Sequence, residues 1–278
     1  MKNTAILLVD CPDAKGIVAS ISDFLYRHDA NILHADQHQD ADAGLFFTRV
    51  EWELGDFGLP MADFGKAFEP VAKKFAMRWR VETSGRRPRV AVFCSQHTHC
   101  IADLLYRHEA GELACEIPVI ISNHEDARRL AEFYGIAFES IPGKAEDRLL
   151  KVLAQHDVDL IVLARYMQVL SAEFVARYPQ RIINVHHSFL PAFVGARPYH
   201  QAYERGVKLI GATSHFVTET LDDGPIIEQD VVRISHQDQV EDLIQKGRDL
   251  ERTVLSRAVR WQIERRILVY ANKTVVFD

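Results

Sequence analysis

The sequence contains no long run of apolar residues. No segment approaches the roughly 18 consecutive apolar residues of a membrane-spanning helix, and the strand-like run Ala5 to Val9 is too short and wrongly flanked for a signal peptide. Its four cysteines form no Cys-x-x-Cys pair and lack the density of a disulfide scaffold. We therefore expect no membrane partner, reduced thiols and a cytoplasmic location.

Basic charge is also scarce. The formal net charge is −6, whereas binding to nucleic acid needs a basic stripe that meets the phosphate backbone, so no nucleic-acid partner is expected. The cluster Arg86-Arg87-Pro88-Arg89 lies where helix and strand periodicity both break, which is typical of a solvated linker. The sequence has no Gly-x-Gly-x-x-Gly, Walker A or Gly-x-Ser-x-Gly motif, which disfavours nucleotide and serine-nucleophile chemistry.

Residues 1–84 show the pattern of a separate small domain. Ala5 to Val9 predicts a strand, Ile17 to Leu25 has helical spacing of apolar residues, and Asn31 to Gln39 is strand-like. An alternating strand at Phe46 to Trp52, a helical stripe and a last alternating strand then follow. The resulting order, βαββαβ, predicts a ferredoxin-like domain.

Residues 89–278 show a different pattern, in which strand-like and helical stretches alternate. The predicted strands lie at 90–94, 118–122, 159–164, 182–186, 209–216 and 226–232. Alternation of this kind predicts an α/β domain with a mostly parallel, Rossmann-like sheet. A charged helix from Gln237 to about Arg266 and a final strand or hairpin from Ile267 to Phe277 complete it.

The loop between the first strand and the first helix holds Pro12 and Gly16, which supply turn geometry, while free amides at the helix start could hold a carboxylate. The segment from Asp10 to Val18 resembles the start of an ACT domain, a module that many metabolic enzymes use to sense amino acids. The resemblance implies an amino-acid effector, glycine or methionine, near Asp13, Gly16 and Ile17. An ordinary turn, in which Pro12 and Gly16 serve only the backbone geometry, explains the loop equally well.

The densest signal lies between residues 182 and 230. Asn184 and His186 stand two residues apart in a strand-like run, which places both side chains on one face and His187 on the other. Ligands bind at strand ends in open α/β sheets, and the turn Asp222-Asp223-Gly224-Pro225 could bring a carboxylate there. An amide, an imidazole and a carboxylate suit chemistry on an acyl group. Taken singly, the three residues could equally be a cap, a core histidine and a turn initiator.

Longer strings around these residues carry a resemblance to a known family. They are Asn-Val-His-His-Ser-Phe-Leu-Pro at 184–191, Gly-Ala-Thr-Ser-His-Phe-Val at 211–217 and Leu-Asp-Asp-Gly-Pro-Ile-Ile at 221–227. Together they resemble the folate-dependent formyltransferases, and residues 191–206 resemble the hydrolytic branch of that family, the formyltetrahydrofolate deformylases. The resemblance implies a formyltransferase fold for the second domain.

The same resemblance implies a role for each polar group. Asn184 would donate to the oxyanion, His186 would stabilise the oxyanion and help to protonate the leaving nitrogen, and Asp222 would accept a proton. Asp222 is preferred to Asp223 because the family motif aligns on the first carboxylate. A general base near neutral pH would also need a raised pKa.

The resemblance also places the folate. Its pterin ring would lie against the residues Arg165, Tyr166, Met167, Gln168, Val169 and Leu170, with His215 on the substrate side as well. Core packing explains Tyr166, Met167 and Leu170 almost as well. Because folate is the substrate, no separate cofactor is expected. No metal is expected either, since His97-x-His99-Cys100 lacks a second ligand pair.

The acceptor of the formyl group is predicted from the loop after the first strand of the second domain. Transfer to glycinamide ribonucleotide calls for a glycine-rich phosphate cradle, and Ser95 to Cys100 contains no glycine. His187 stands where transformylases normally have proline. Both features favour water. Formylation of initiator methionyl-tRNA is disfavoured because its enzymes carry a further RNA-contacting domain.

We therefore predict an enzyme that hydrolyses 10-formyltetrahydrofolate to formate and tetrahydrofolate, supplying formate for purine biosynthesis and balancing the one-carbon folate pool. ACT-like units commonly pair edge to edge, so a homo-oligomer is expected. The alternative is an amino-acid sensor with an inactive enzyme domain. An intact set of Asn184, His186 and Asp222 argues against it.

Overall fold

The computed structural model of the protein describes residues 3–143, 145–192 and 197–277. The chain forms two compact units. The first contains the chain up to Arg86, Arg265–Tyr270 and the end of the chain from Val275, and the second contains Arg87–Glu264 and Ala271–Thr274. The division between residues 86 and 87 falls within the predicted linker.

The first unit is a four-stranded antiparallel sheet with two helices on one face. Its elements are β1 Thr4–Pro12, α1 Ile17–Tyr26, β2 Ile32–Asp40, β3 Leu45–Glu53, α2 Met61–Lys74 and β4 Arg78–Thr83. The strand order is β2-β3-β1-β4. Leu7, Trp52, Phe64 and Phe68 are fully buried between sheet and helices. The predicted βαββαβ order is confirmed.

The second unit is built on a seven-stranded sheet. Its elements are β5 Arg89–Cys94, α3 His99–Glu109, β6 Glu116–Ser122, α4 Arg128–Phe133, β7 Ala137–Ser140, α5 Glu146–Gln155, β8 Leu160–Ala164, α6 Ala172–Arg177, β9 Ile182–His186, α7 Pro198–Arg205, β10 Leu209–Phe216, β11 Ile226–Arg233 and α8 Val240–Ile263. The strand order is β11-β10-β9-β8-β5-β6-β7. Strands β5 to β9 are parallel, and β10 and β11 are antiparallel to their neighbours. The predicted mostly parallel sheet is confirmed.

The order of the strands determines where a ligand can bind. From β5 the chain moves outward to β6 and β7, and then returns to β8 on the other side of β5. Ligands bind outside the carboxyl ends of the strands at such a reversal. The segment after β8 and the end of β9 both lie at this position.

The last residues form a short hairpin of β12 Ile267–Tyr270 and β13 Lys273–Val276. Leu268, Tyr270, Val275 and Phe277 pack against Ile6, Leu8 and Phe47. These three residues belong to the sheet face opposite the helices, because side chains alternate across a strand. The assignment of all residues from 89 to 278 to the second domain therefore does not hold for most of this hairpin.

None of the helices in the described part of the chain is both long enough and apolar enough to cross a membrane.

Candidate active site

A cavity of about 460 Å³ lies at the carboxyl ends of β8 and β9. Asn184, His186 and Asp222 all line it. The other predicted substrate-side residues line it too, namely Arg165, Tyr166, Met167, Gln168, Val169, Leu170 and His215. The structure thus brings together residues that are spread over nearly 60 positions of the chain, from Arg165 to Asp222.

Strand β9 positions the amide and the first imidazole. It pairs in parallel with β8 and antiparallel with β10, with Asn184 opposite His215 and His186 opposite Thr213. Because neighbours in this pairing lie across from one another, the Asn184 and His215 side chains share one face of the sheet. The Asn184 Nδ2 atom lies 3.3 Å from Nε2 of His215.

The turn after β10 positions the carboxylate. Asp222 has a left-handed backbone with φ of 55°, a conformation that Asp adopts more readily than most residues. A Cβ atom on Gly224 would lie 1.7 Å from the carbonyl oxygen of Phe216, so this position requires glycine. The Phe216 amide also donates to the carbonyl of Pro225 at 2.9 Å. The turn is therefore fixed against the end of β10.

His186 and Asp222 form a buried pair. The His186 Nδ1 atom lies 3.2 Å from Oδ2 of Asp222, and the two side chains are 6% and 10% exposed. A proton on Nδ1 would point to the carboxylate, which leaves Nε2 with the lone pair. Nε2 makes no hydrogen bond among the described residues. It is the ring atom that remains for a substrate or a water molecule.

His215 orients the Asn184 amide. Its Nδ1 atom lies 2.9 Å from the carbonyl oxygen of Phe216, which can only accept, so Nδ1 carries the proton. Nε2 then accepts from the Asn184 amide and leaves the second N–H of that amide for another acceptor. The His215 Nε2 atom is also 3.7 Å from Oδ1 of Asp222.

The Asp222 carboxyl departs from the expected raised pKa. Burial acts to raise its pKa, but the Nδ1–H of His186 donates to the carboxylate and holds the pKa below its ordinary value. Asp222 is therefore an anion at neutral pH. A carboxylate of this kind stabilises positive charge on a neighbouring imidazole better than it retains a proton.

A second buried cluster surrounds Glu251 of α8, whose side chain is 2% exposed. Its carboxylate accepts from the Tyr199 hydroxyl at 2.7 Å and contacts Nε2 of His99 at 2.7 Å. Nε of Arg165 lies 3.5 Å from the same carboxylate oxygen as His99. Burial acts to raise the pKa of Glu251, but His99 and Arg165 outweigh it and lower the pKa. The cluster thus holds an internal ion pair beside the cavity.

His99, Cys100 and Glu251 could together face a metal ion, since their ligand atoms lie within 4.8 Å of one another. The Arg165 guanidinium already contacts the carboxylate, and a cation there would be repelled by it. Burial also raises the pKa of the Cys100 thiol well above its ordinary value, which disfavours the thiolate that a metal requires. The arrangement favours an internal ion pair over a metal site.

His187 lies between the His186–Asp222 pair and the Glu251 cluster. Its ring centroid lies 5.1 Å from that of His186 and 6.1 Å from that of Tyr199. Burial, followed by the charge of Arg165, lowers the pKa of His187 to about 4. His187 is therefore neutral at physiological pH.

The predicted effector residues lie in the first unit. Gly16 has φ of 95°, which favours glycine, and Asp13 accepts from Nε2 of Gln39 at 2.6 Å. Ile17 is only 2% exposed. Its side chain packs in the core, so a ligand at this loop would meet Asp13 and the backbone of Gly16 rather than the Ile17 side chain.

Sequence reasoning missed Glu251 and Tyr199. Glu251 lies on the buried face of α8 with Leu243, Gly247 and Val254. These positions have helical spacing, so a carboxylate within an otherwise buried stripe was the available signal. Tyr199 carried no comparable signal, because its role depends on contact with a helix about 50 residues further along the chain.

Comparison with known proteins identifies the family. The family model described as formyl transferase matches residues 88–259, and the ACT domain model matches residues 5–51. A formyltetrahydrofolate deformylase from a Synechocystis species is 54% identical over 99% of this chain and 98% of its own length. The chain belongs to the formyltetrahydrofolate deformylases.

Further relatives agree with this placement. A formyltetrahydrofolate deformylase from Bacillus subtilis is 50% identical over 98% of this chain and 93% of its own. The crystal structure of a formyltetrahydrofolate deformylase from Pseudomonas syringae is 46% identical and superposes with a TM-score of 0.97 over 100% of this chain and 95% of that chain. A glycinamide ribonucleotide transformylase from Symbiobacterium toebii is 30% identical, with a TM-score of 0.67 over 70% of this chain and 97% of that chain. The same catalytic fold thus occurs in enzymes named for different formyl acceptors.

Proposed function

We propose that this protein hydrolyses 10-formyltetrahydrofolate to tetrahydrofolate and formate. The observation that carries the proposal is the convergence of Asn184, His186 and Asp222 in one cavity of a chain that belongs to the deformylases. An amide donor, an imidazole and a carboxylate meet the needs of a reaction that passes through a tetrahedral oxyanion. No separate cofactor takes part in the proposed reaction.

The folate lies along the segment that follows β8. Met167 and Val169 are 60% and 55% exposed, and Leu221 on the opposite turn is 63% exposed. Apolar side chains that line a cavity and yet remain exposed suit a flat aromatic ligand. The pterin ring packs between them, and backbone groups of the two segments read its edge.

The chemical step uses the His186–Asp222 pair and the Asn184 amide. The water oxygen bonds to the formyl carbon, and the water proton passes to the His186–Asp222 pair through Nε2 of His186. Asn184 donates its free N–H to the oxyanion. The bond between the formyl carbon and N10 then breaks, the proton passes from His186 to N10, and formate leaves. The lowered pKa of Asp222 keeps it ionised, so it stabilises the imidazolium throughout.

Two features favour water over a ribonucleotide as acceptor. The loop from Ser95 to Thr98 contains no glycine and precedes α3. The first residue of α3, His99, contacts Glu251. This contact engages the His99 side chain, which therefore does not donate to a phosphate at this helix start.

The first unit carries the regulatory part of the proposal. Its ACT match extends over residues 5–51, and an amino acid, glycine or methionine, binds at the loop of Asp13 and Gly16. Strand β2 is an exposed edge of the first sheet, and pairing of two copies through such an edge makes a homo-oligomer. The formate released by the enzyme supplies purine biosynthesis, and the reaction balances the one-carbon folate pool.

The decisive experiment measures formate release from 10-formyltetrahydrofolate by the purified chain, with glycinamide ribonucleotide added or omitted. Formate release without the ribonucleotide, lost in Asp222→Asn, is the expected result. Turnover only with the ribonucleotide would overturn the proposal in favour of a transformylase. Binding of glycine or methionine without turnover of the folate would instead favour a sensor.

A further inference from the structure

Arg165, which lines the cavity, combines an unusual backbone conformation with incomplete pairing of its side chain. Arg165 directly follows β8 and has a left-handed backbone with φ of 62°. Residues with a Cβ atom rarely adopt this backbone conformation, whereas glycine adopts it without cost. An arginine that persists there is held by its surroundings, and backbone strain of this kind clusters at functional sites.

The guanidinium is also incompletely paired. The Arg165 side chain is 11% exposed, and its Nε and Nη1 atoms make no hydrogen bond among the described residues. Its ionic partner is Glu251, with Nε 3.5 Å from the carboxylate. Arginines with a purely structural role usually have their donors satisfied when they are buried. The position of this charge therefore calls for a functional explanation.

Arg165 is the last in a row of contacting side chains beside the reacting groups. The row begins at His186, continues through the rings of His187 and Tyr199 to Glu251, and ends at the Arg165 guanidinium. Arg165 lines the same cavity as Asn184 and Asp222. Its side chain occupies space beside the reacting groups, and it neutralises the buried Glu251 carboxylate, which could otherwise hold an amine.

We propose that Arg165 is the specificity-determining residue that closes the acceptor side of the site, so that water but no amine reaches the formyl carbon. This inference rests on the proposed hydrolase function. Without Arg165, the Glu251 carboxylate would face the freed volume and accept an N–H from a small primary amine. The amine nitrogen would bond to the formyl carbon, the bond from that carbon to N10 would break, and the amine proton would pass through His186 to N10. The products are a formamide and tetrahydrofolate.

The test uses Arg165→Gly, which opens the space and removes the backbone strain, with glycinamide as the amine. Formylated glycinamide and formate are quantified together by mass spectrometry at increasing glycinamide concentration. The ratio of formamide to formate should rise at least about tenfold over wild type, the lower range for a change in pocket size. Adding Glu251→Gln to Arg165→Gly should lower that ratio again, because the amine loses its anionic partner.

Two variants control for other effects. Gln180→Gly removes a left-handed residue on the exposed surface, with φ of 55°, and should leave the ratio at the wild-type value. Arg165→Asn also opens the space, and Asn tolerates the left-handed backbone, so it serves if the glycine variant does not fold. Circular dichroism and the KM for the folate establish that each variant is folded and binds substrate.

The outcomes separate this inference from the function on which it rests. A wild-type protein that releases no formate would overturn both. A wild-type protein that releases formate, with a folded Arg165→Gly that yields formate alone, would overturn only the role of Arg165. Transfer of formyl to glycinamide by the wild-type protein at the variant's ratio would overturn it as well.

Discussion

The Nδ1 atom of His186 lies 3.2 Å from the Oδ2 atom of Asp222, although one side chain ends β9 and the other belongs to the turn after β10. The contact fixes the ring and leaves Nε2 as the free ring nitrogen. It also fixes the ionisation of the carboxyl, whose pKa lies below its ordinary value. The contact between His186 and Asp222 thus determines which ring nitrogen of His186 can act as the base, and it keeps a negative charge beside the ring.

Replacement of Asp222 by Asn should remove the charge behind His186 and leave the shape of the site intact. We expect kcat for formate release to fall by about 10²–10⁴-fold, the range of general acid–base catalysis, with a smaller change in KM. Steady-state kinetics of the two proteins measure this. Asp223→Asn is the matched control, and an equal loss of kcat in that variant would refute the choice of Asp222.

The His186–Asp222 pair should also affect how the free energy of unfolding depends on pH. A carboxyl with a lowered folded pKa contributes stability above its unfolded pKa of about 4, and this contribution is lost as the pH falls through the lower folded pKa. The free energy of unfolding of wild type minus that of Asp222→Asn should therefore shrink between pH 5 and pH 3. Urea unfolding at several pH values tests this. A difference that stays constant or grows with acid would contradict the direction of the shift.

Asn184 should act almost entirely in the transition state. Truncation to Ala removes the oxyanion donor, which is typically worth about 3 kcal/mol, so we expect kcat to fall by about 10²–10³-fold with KM little changed. His215→Ala should show a weaker form of the same effect, because it removes the acceptor that orients the amide. A rise in KM with unchanged kcat would assign Asn184 to folate binding instead.

His187 should make the protein less stable in mild acid. Its pKa is lowered to about 4, first by burial and then by Arg165. The unfolded chain therefore takes up the proton first, near pH 6.5, and the folded protein loses stability from there down to about pH 4. The loss attributable to His187 between pH 7 and pH 5 is on the order of 2 kcal/mol. Unfolding of His187→Gln should show a correspondingly shallower slope over this range, and identical slopes would rule out the assignment.

Two glycines within helices should respond in opposite ways to alanine. A Cβ atom at position 247 would lie 2.0 Å from the Tyr199 hydroxyl, so Gly247→Ala should destabilise the protein by about 1–3 kcal/mol and weaken the Tyr199–Glu251 contact. At Gly65 the nearest atom, on Trp79, would be 3.6 Å away. Gly65→Ala should therefore stabilise α2 by about 0.5–1 kcal/mol. Thermal unfolding compares the two, and equal shifts in Tm would contradict the packing.

Local patterns sufficed to predict most of the fold. The alternation at Phe46 to Trp52 and the continuous apolar runs of β5 and β8 follow directly from whether one or both faces of a strand are buried. The two-residue spacing of Asn184 and His186 likewise predicted a shared direction, since side chains alternate along a strand. Chemistry encoded within one short segment is visible in the sequence.

Features that depend on distant contacts were not visible. The hairpin at the C terminus packs on Ile6 and Leu8 at the start of the chain, and no local pattern records that. The direction of the shift in the Asp222 pKa depends on His186, which lies 36 positions earlier in the chain. Glu251 and Arg165 are separated by more than 80 positions, and their pairing exists only once α8 has packed beside the segment that follows β8.

Strand β10 is buried at nearly every position, so apolar alternation alone specifies its register weakly. Its polar groups supply the missing information. The Thr213 hydroxyl donates to the carbonyl of Ser188 and accepts from the amide of Leu190 and from Gln229, while His215 meets Asn184. A slip by one residue would break all of these contacts and leave buried polar groups unpaired. The contacts that fix the register of β10 thus also place the catalytic side chains. A sheet with the wrong register would lose both stability and activity.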